Sequence, residues 1–501
     1  MAHQLPTDCL NEIIEYLEED KPTLHSCVLV NRLWCEISVR ILWRDIWNFK
    51  CSIFRQYRPL NVASSILSTL IACLPNESKE LLYKNEIFIS TPTSKPLMFN
   101  YAAFCKVLSI NEINRIVDSV LRDEPSNTTI NSLSLKDRNF LVANEVIKMF
   151  TNQISSLKKL AYHYNQYHNN FSFNYFPGMR NLSELHCSSN LPSNFFYQLS
   201  HICHNLQSIF IKFHNDVVSN ELKELISLQN NLKQLTLLAY FNGSWTNIIP
   251  TLTKHANTIT KLYLDSDNYK DNSSLSFISL FSNLQEIIFS FSFFSGTDFE
   301  DFKQLQHFNF PKLRKLKFLD QCPKPEYLMK FLEINGKNLK KLYMTENNVD
   351  LSLSITNFCP NLKNLFVIFN NGEIDILKTI FINCQYLESI KIWCGYRYLN
   401  EMEVLEMVVN YSPSSFHELK IYISNPDFIS PNDLESFFIK WKNRAQKKVL
   451  SLIIIKDDYY CSSLINEGNM KIIKKYENLG VIKFENKGYE EEEDGEINDY
   501  Y

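Results

Sequence analysis

Glycine is nearly missing from this chain, at 10 of 501 residues. Phosphate-cradling loops need close backbone approach, which glycine supplies, and neither GxGxxG nor GxxxxGK(S/T) occurs. A dominant sign of charge is lacking too. Lys+Arg number 51 and Asp+Glu 55, and the resulting net charge of -4 gives no global drive toward nucleic acid or a membrane surface. No apolar run reaches the length of about eighteen residues needed to cross a bilayer, so no transmembrane span is expected. The first residues lack the basic-then-apolar pattern of a secretory signal. Thirteen cysteines are present, but without the spacing of a disulfide framework or a zinc site. An odd number in apolar contexts, such as Cys27 beside Val28 and Cys105 beside Phe104, fits free buried thiols in a reducing compartment. The expectation is a cytoplasmic or nuclear protein with no cofactor and no metal. What is abundant is apolar side chain: 45% of residues are hydrophobic and 13% aromatic. A chain of this length and composition is read as several domains or as a repeat array.

The repeat reading is carried by a pattern of the form L-x-x-L-x-L-x-x-N. Clear copies are Leu182, Leu185 and Cys187 with Asn190; Leu339, Leu342 and Met344 with Asn347; and Leu362, Leu365 and Val367 with Asn370. Weaker copies begin at Ile130, Leu157, Leu206, Leu232, Ile259, Leu284, Leu313, Leu387, Phe416, Val449 and Leu479, at roughly the 20–29-residue period of leucine-rich repeats. L-x-L alternation makes a short strand that buries alternate side chains, and strands of neighbouring repeats stack into one parallel sheet. Stretches such as 192–203, 218–228 and 374–384 carry helical apolar spacing and return the chain along the other face. Asparagines ahead of the strands (Asn181, Asn205, Asn231, Asn283, Asn338, Asn361) mark the helix-to-strand turn, which asparagine suits by tolerating left-handed backbone and by hydrogen-bonding nearby backbone. The fold class is α/β, with a small helical N-terminal module. Segments 66–74 and 111–121 look helical and 91–95 a loop. The boundaries read as 1–47 module, 48–129 helical linker and cap, 130–487 repeats and 488–501 an acidic, disordered tail.

The first forty-three residues are dense in large apolar side chains at helical spacing. Leu10, Ile13, Ile14 and Leu17 lie at three- and four-residue steps, Pro6 suits a first helical turn, and Pro22 and Thr23 restart the chain. A block this short cannot bury all of that surface in its own core, so it reads as a docking module.

The ordered pattern LPxDCLxxIxxYL…LxSCxLVNRxWCxxxxxxLW resembles an F-box, on Leu5-Pro6, Leu10, Ile13, Ile14, Leu17, Leu24, Ser26-Cys27, Leu29-Val30-Asn31-Arg32, Trp34 and Leu42-Trp43. With the repeats, the chain resembles the F-box/leucine-rich-repeat family. The resemblance implies a substrate receptor of a Skp–cullin–F-box ubiquitin ligase, without bond chemistry of its own. It implies a Skp-type adaptor, and through it a cullin, as partners, and no nucleic acid or membrane. By position, the adaptor contacts would come from Leu5, Pro6, Leu10, Ile13, Ile14, Leu17, Leu24, Cys27, Leu29, Val30 and Trp34, some of which must also form the module's own core. Many repeats carry Ile, Phe, Cys or Met where leucine is usual.

Within each L-x-L strand the residue between the apolar positions faces away from the helices, toward the concave surface of such an array. Along the chain that row reads His186, Phe210, Thr236, Tyr263, Ile288, Lys317, Tyr343, Phe366, Lys391, Lys420 and Ile453, with Phe213, Phe291, Phe369 and Trp393 on following positions. Aromatic residues mixed with lysine suit a protein-binding surface. The expected substrate contacts are Phe210, Tyr263, Lys317, Tyr343, Phe366, Lys391 and Trp393, centred on residues 343–393.

Overall fold

The computed structural model describes residues 5–47, 60–92, 97–122, 133–163, 175–215, 217–266, 275–292, 300–346, 348–424, 429–444, 448–456 and 465–488. These divide into two compact units. One contains the described residues up to Lys212 together with Val217–Leu232, and the other residues 213–215 and those from Lys233 onward. The expected copy at Ile130 and the acidic run from Glu490 lie outside the described residues.

The first unit opens with three helices, α1 (Thr7–Glu15), α2 (Lys21–Val28) and α3 (Arg32–Leu42). Pro6 sits immediately before α1, and Pro22 occupies its first turn in α2. Asp20 caps α2 by accepting from Thr23 N, and Asn31 caps α3 by accepting from Trp34 N. Five further helices follow, α4 (Leu60–Cys73), α5 (Asn76–Lys84), α6 (Tyr101–Phe104), α7 (Ile110–Arg122) and α8 (Leu135–Gln153). Among them stands a strand, β1 (Val107–Ser109), inside the segment read as linker and cap. Strands β2 (Lys159–Tyr162), β3 (Glu184–Ser188) and β4 (Ser208–Phe213) continue the unit, with helices α9 (Ser193–Ser200) and α10 (Asn220–Ser227). β1 pairs with β2, β2 with β3 and β3 with β4, all parallel.

The second unit repeats the plan. Its strands are β5 (Gln234–Ala239), β6 (Lys261–Ser266), β7 (Glu286–Phe291), β8 (Lys315–Phe318), β9 (Lys341–Tyr343), β10 (Asn364–Phe366), β11 (Ser389–Gly395), β12 (Glu418–Ser424), β13 (Leu450–Lys456) and β14 (Ile482–Gly488). Each pairs in parallel with its neighbour in sequence. The return from β5 to β6 is one short helix, α11 (Ile249–Leu252), between 3₁₀ turns, and the next two returns contain the 3₁₀ turns Leu275–Leu280 and Glu300–Gln304. Later returns are full helices: α12 (Pro325–Asn335), α13 (Val349–Phe358), α14 (Ile374–Asn383), α15 (Glu401–Tyr411), α16 (Pro431–Lys442) and α17 (Glu467–Asn478). One short strand and one return per period, stacked in sequence order, is a leucine-rich-repeat architecture.

Each expected copy from Leu157 to Phe416 begins two residues before its strand. Two readings need correction. The register Ser451↔Lys483 makes Val481, not Leu479, the residue equivalent to Val449, and Leu479 is exposed while Val481 is buried. The turn asparagines are not left-handed either, since among the described residues only Glu86 and Phe241 combine a side chain with positive φ. Three of their side chains bond across repeats. Asn283 Nδ2 donates to Asn257 O at 2.7 Å, Asn361 Nδ2 to Lys337 O at 2.9 Å, and Asn181 Nδ2 to Ser156 Oγ at 3.1 Å. Deeper in the stack, Asn335 is fully buried. It accepts from Phe310 N at 2.7 Å and donates to the carbonyls of Phe308 and Phe331. Gln229 does the same in the first unit, accepting from Leu206 N and donating to Cys203 O and Leu225 O.

Candidate functional site

The N-terminal helices separate the apolar residues that the sequence left undivided. Leu10 and Ile14 of α1, Leu24 of α2 and Ile37 and Ile41 of α3 form a small core, with Leu17, Leu33, Trp34 and Leu42 packed partly buried around it. Cys27 is buried as well. Leu10, Ile14, Leu24 and Cys27 are thus interior residues, closed to direct contact with a partner in this arrangement. Pro6 is exposed, and so are Leu5 (53%), Ile13 (49%), Leu29 (86%) and Val30 (57%). Tyr16, which sequence reasoning missed, is the most open of these apolar side chains at 87%. Its signal was its place three residues after Ile13, on the same helical side. Burying one such side chain fully is worth about 1.5–3 kcal/mol, so this surface gains substantially from being covered.

The module is built into the first unit. Both terminal nitrogens of Arg44, just after α3, bond the Glu15 carboxylate of α1, and this pairing holds Glu15 below the ordinary carboxylate range. The Arg44 carbonyl then accepts from Lys106 N at 2.8 Å and Val107 N at 3.0 Å. The Lys106 carbonyl makes the same pair of bonds with Lys158 and Lys159, and Lys158 with Ser183 and Glu184. Arg44 therefore fills the place of a preceding repeat. Trp47 Nε1 donates to Val107 O at 2.7 Å, and its ring packs edge-on against Phe150 of α8. Trp43 packs against Tyr101 with centroids 4.5 Å apart.

On the sheet face, the row read from sequence is in register. In the first unit His186 lies opposite Phe210, the two rings stacked 4.8 Å apart. In the second unit the row runs Thr236, Tyr263, Ile288, Lys317, Tyr343, Phe366, Lys391, Lys420, Ile453. The openness expected of it is not found. Phe210, Tyr263, Lys317, Tyr343, Phe366 and Lys391 are all less than a tenth exposed. Side chains about 4.8 Å apart along the sheet pack on each other, and large rings fill that spacing. Tyr343, Phe366, Tyr422, Ile453 and Ile455 form one cluster with Leu319, Ile368 and Trp393 at its margin. Lys391 Nζ sits inside it, 4.7–5.3 Å from the Tyr422, Tyr343 and Phe366 ring centres, and donates to Tyr343 Oη at 3.3 Å. Lys317 Nζ lies 5.2 Å from the Tyr343 ring centre. Trp393 stacks on Tyr422 at 4.8 Å and stays half-buried. Phe213, Phe291 and Phe369 belong to the opposite face: they share the parity of the core positions and are fully buried.

The thiols follow the repeat phase. Cys187, Cys203, Cys359 and Cys384 are buried at core positions, and burial pushes the Cys203 thiol up to about 12 and that of Cys384 to about 11. Among the described residues no group of three or more His, Cys, Asp or Glu is placed to hold a metal ion, and no helix is long and apolar enough to cross a membrane.

No family model matches the chain, and no curated protein matches it. Solved structures do. The leucine-rich repeat-containing protein LegL7 from Legionella pneumophila is 12% identical, with 58% of this chain and 97% of that one covered at a TM-score of 0.38. A chain of the Rad7 and Elc1 complex in yeast is 13% identical, with 95% of this chain and 91% of that one covered at a TM-score of 0.40. The chain's own strand register establishes the leucine-rich-repeat architecture independently of either.

Proposed function

We propose that this protein is a substrate receptor of a Skp–cullin–F-box ubiquitin ligase, its N-terminal module an F-box that docks a Skp-type adaptor and its repeats a scaffold that binds the protein to be ubiquitinated. The observation that carries the reading is the set of exposed apolar side chains on α1 and at its two ends, and on the turn between α2 and α3: Leu5, Ile13, Tyr16, Leu29 and Val30. These residues, with Pro6, are the adaptor contacts of this proposal. Leu10, Ile14, Leu24 and Cys27 support them from beneath, and Leu17 and Trp34 flank the core. The protein acts by proximity, in the cytoplasm or nucleus, holding a bound protein's lysines near a ubiquitin-charged enzyme so that transfer becomes effectively intramolecular. The join through Arg44 and Trp47 suits that role, because it couples the module to the first repeat without a free hinge at that point.

The test is co-purification of a Skp-type adaptor with the full chain. Replacing Leu5 and Pro6 by alanine, or Leu29→Asp, is expected to abolish recovery of the adaptor while the circular dichroism melt stays unchanged. Undiminished recovery with either variant contradicts the adaptor face. Recovery of adaptor without cullin favours the second reading, a leucine-rich-repeat scaffold acting independently of ubiquitin transfer.

A further inference from the structure

In the second unit a groove of about 430 Å³ runs along the edge where the chain enters β8, β9 and β10. Five cationic side chains line it: Lys312, Arg314, Lys337, Lys340 and Lys363. Three of them are stacked by the fold. The Arg314 carbonyl accepts from Lys340 N and Lys341 N, and the Lys340 carbonyl from Lys363 N and Asn364 N. Arg314, Lys340 and Lys363 therefore hold one position in three consecutive repeats, about 4.8 Å apart from strand to strand. Like charges at that spacing repel, so the fold itself gains nothing from setting Arg314 beside Lys340. Along the same edge some cations are matched. Lys315 pairs with Glu286, and Lys363 meets Glu388 at 2.6 Å where the row ends. Among the described residues no carboxylate pairs with Lys312, Arg314, Lys337 or Lys340, and all four are exposed.

We propose that this groove binds an acidic segment of a partner polypeptide, its carboxylates meeting the stacked cations and its backbone lying against the exposed Tyr386 ring at the rim. An extended peptide brings same-side side chains about 6.8 Å apart, a spacing that lets successive carboxylates reach cations of successive repeats. A nucleic acid needs a longer basic stripe tracking many phosphates, whereas this patch spans three repeats of a chain with net charge -4. The site shares no residue with the adaptor face, so the two readings fail independently.

The experiment is fluorescence anisotropy of a labelled glutamate-rich octapeptide titrated with the full chain at two salt concentrations. Saturable binding is expected, weakened by salt, and on the order of tenfold weaker for Arg314→Gln/Lys340→Gln. Lys337→Gln, in the turn ahead of β9, gives a second reading should the double variant fold poorly. Lys442→Gln/Lys474→Gln, on α16 and α17, is expected to leave binding unchanged, and adaptor recovery is expected to be unchanged in every variant. Equal binding by wild type and both groove variants overturns the proposal. Equal loss in the α16/α17 control, or tighter binding of an oligothymidine than of the peptide, overturns it as well.

Discussion

At the scale of single residues, burial decides what each ionisable or small group contributes. His186 lies buried against Phe210, and desolvation, with Lys159 and His163 nearby, holds its imidazole well below the ordinary value of 6.5. The native fold keeps His186 neutral, whereas an unfolded histidine takes up a proton near pH 6.5. Stability from this group is therefore complete above that pH and is lost as pH falls below it. His186→Gln is expected to flatten the decline in melting temperature between about pH 6.5 and 5. An unchanged slope would place the acid sensitivity elsewhere. Gly336 shows the same logic for volume. A Cβ there would lie 2.6 Å from Phe358 O and 2.8 Å from Cys359 Sγ. Gly336→Ala is accordingly expected to cost about 1–3 kcal/mol in chemical denaturation, because the contacted atoms include rigid backbone.

At the scale of elements, the strands were readable and their surroundings were not. Period-two alternation places Phe210 opposite His186 in the first unit, and Tyr343 and Lys391 on one face in the second, whatever the context, and their register follows from it. Parity also should have put Phe213, Phe291 and Phe369 inside, and only a slip of one position set them outside. β1 escaped notice although Cys105, Leu108 and Ile110 keep the repeat spacing, because cysteine stands where leucine is usual and the strand itself is only three residues long. The burial of Lys391 was illegible for a different reason. It depends on Tyr343, Phe366 and Tyr422, which are neighbours through the sheet and not through the chain. The turn asparagines were found in the right places, without the left-handed backbone but with hydrogen bonds to backbone from Asn283 and Asn361, whose partners lie one repeat away and so depend on how the repeats stack. Asn335 tests that stacking. Asn335→Ala leaves Phe310 N buried without its acceptor, and a loss of about 1–3 kcal/mol in urea denaturation is expected. No measurable loss would mean that the repeat turns tolerate an unpaired amide.

At the scale of the whole molecule, the composition points to division of labour. A short module that leaves Leu5, Ile13, Tyr16, Leu29 and Val30 exposed stands at one end of the sequence, and a leucine-rich-repeat array makes up most of the rest. The sequence pattern located both parts, but only the structure separated the module's interior leucines from its exposed ones. The most direct measurement is calorimetric titration of a purified Skp-type adaptor into the full chain, wild type against Leu29→Asp/Val30→Asp. Leu29 and Val30 are exposed, so the substitution leaves the core residues Leu24, Ile37 and Ile41 untouched. Saturable binding by wild type, and a loss of two orders of magnitude or more in the variant at unchanged melting temperature, is the predicted result, from two apolar side chains at about 1.5–3 kcal/mol each. Equal affinity in the two proteins, or no binding by wild type, would contradict the account.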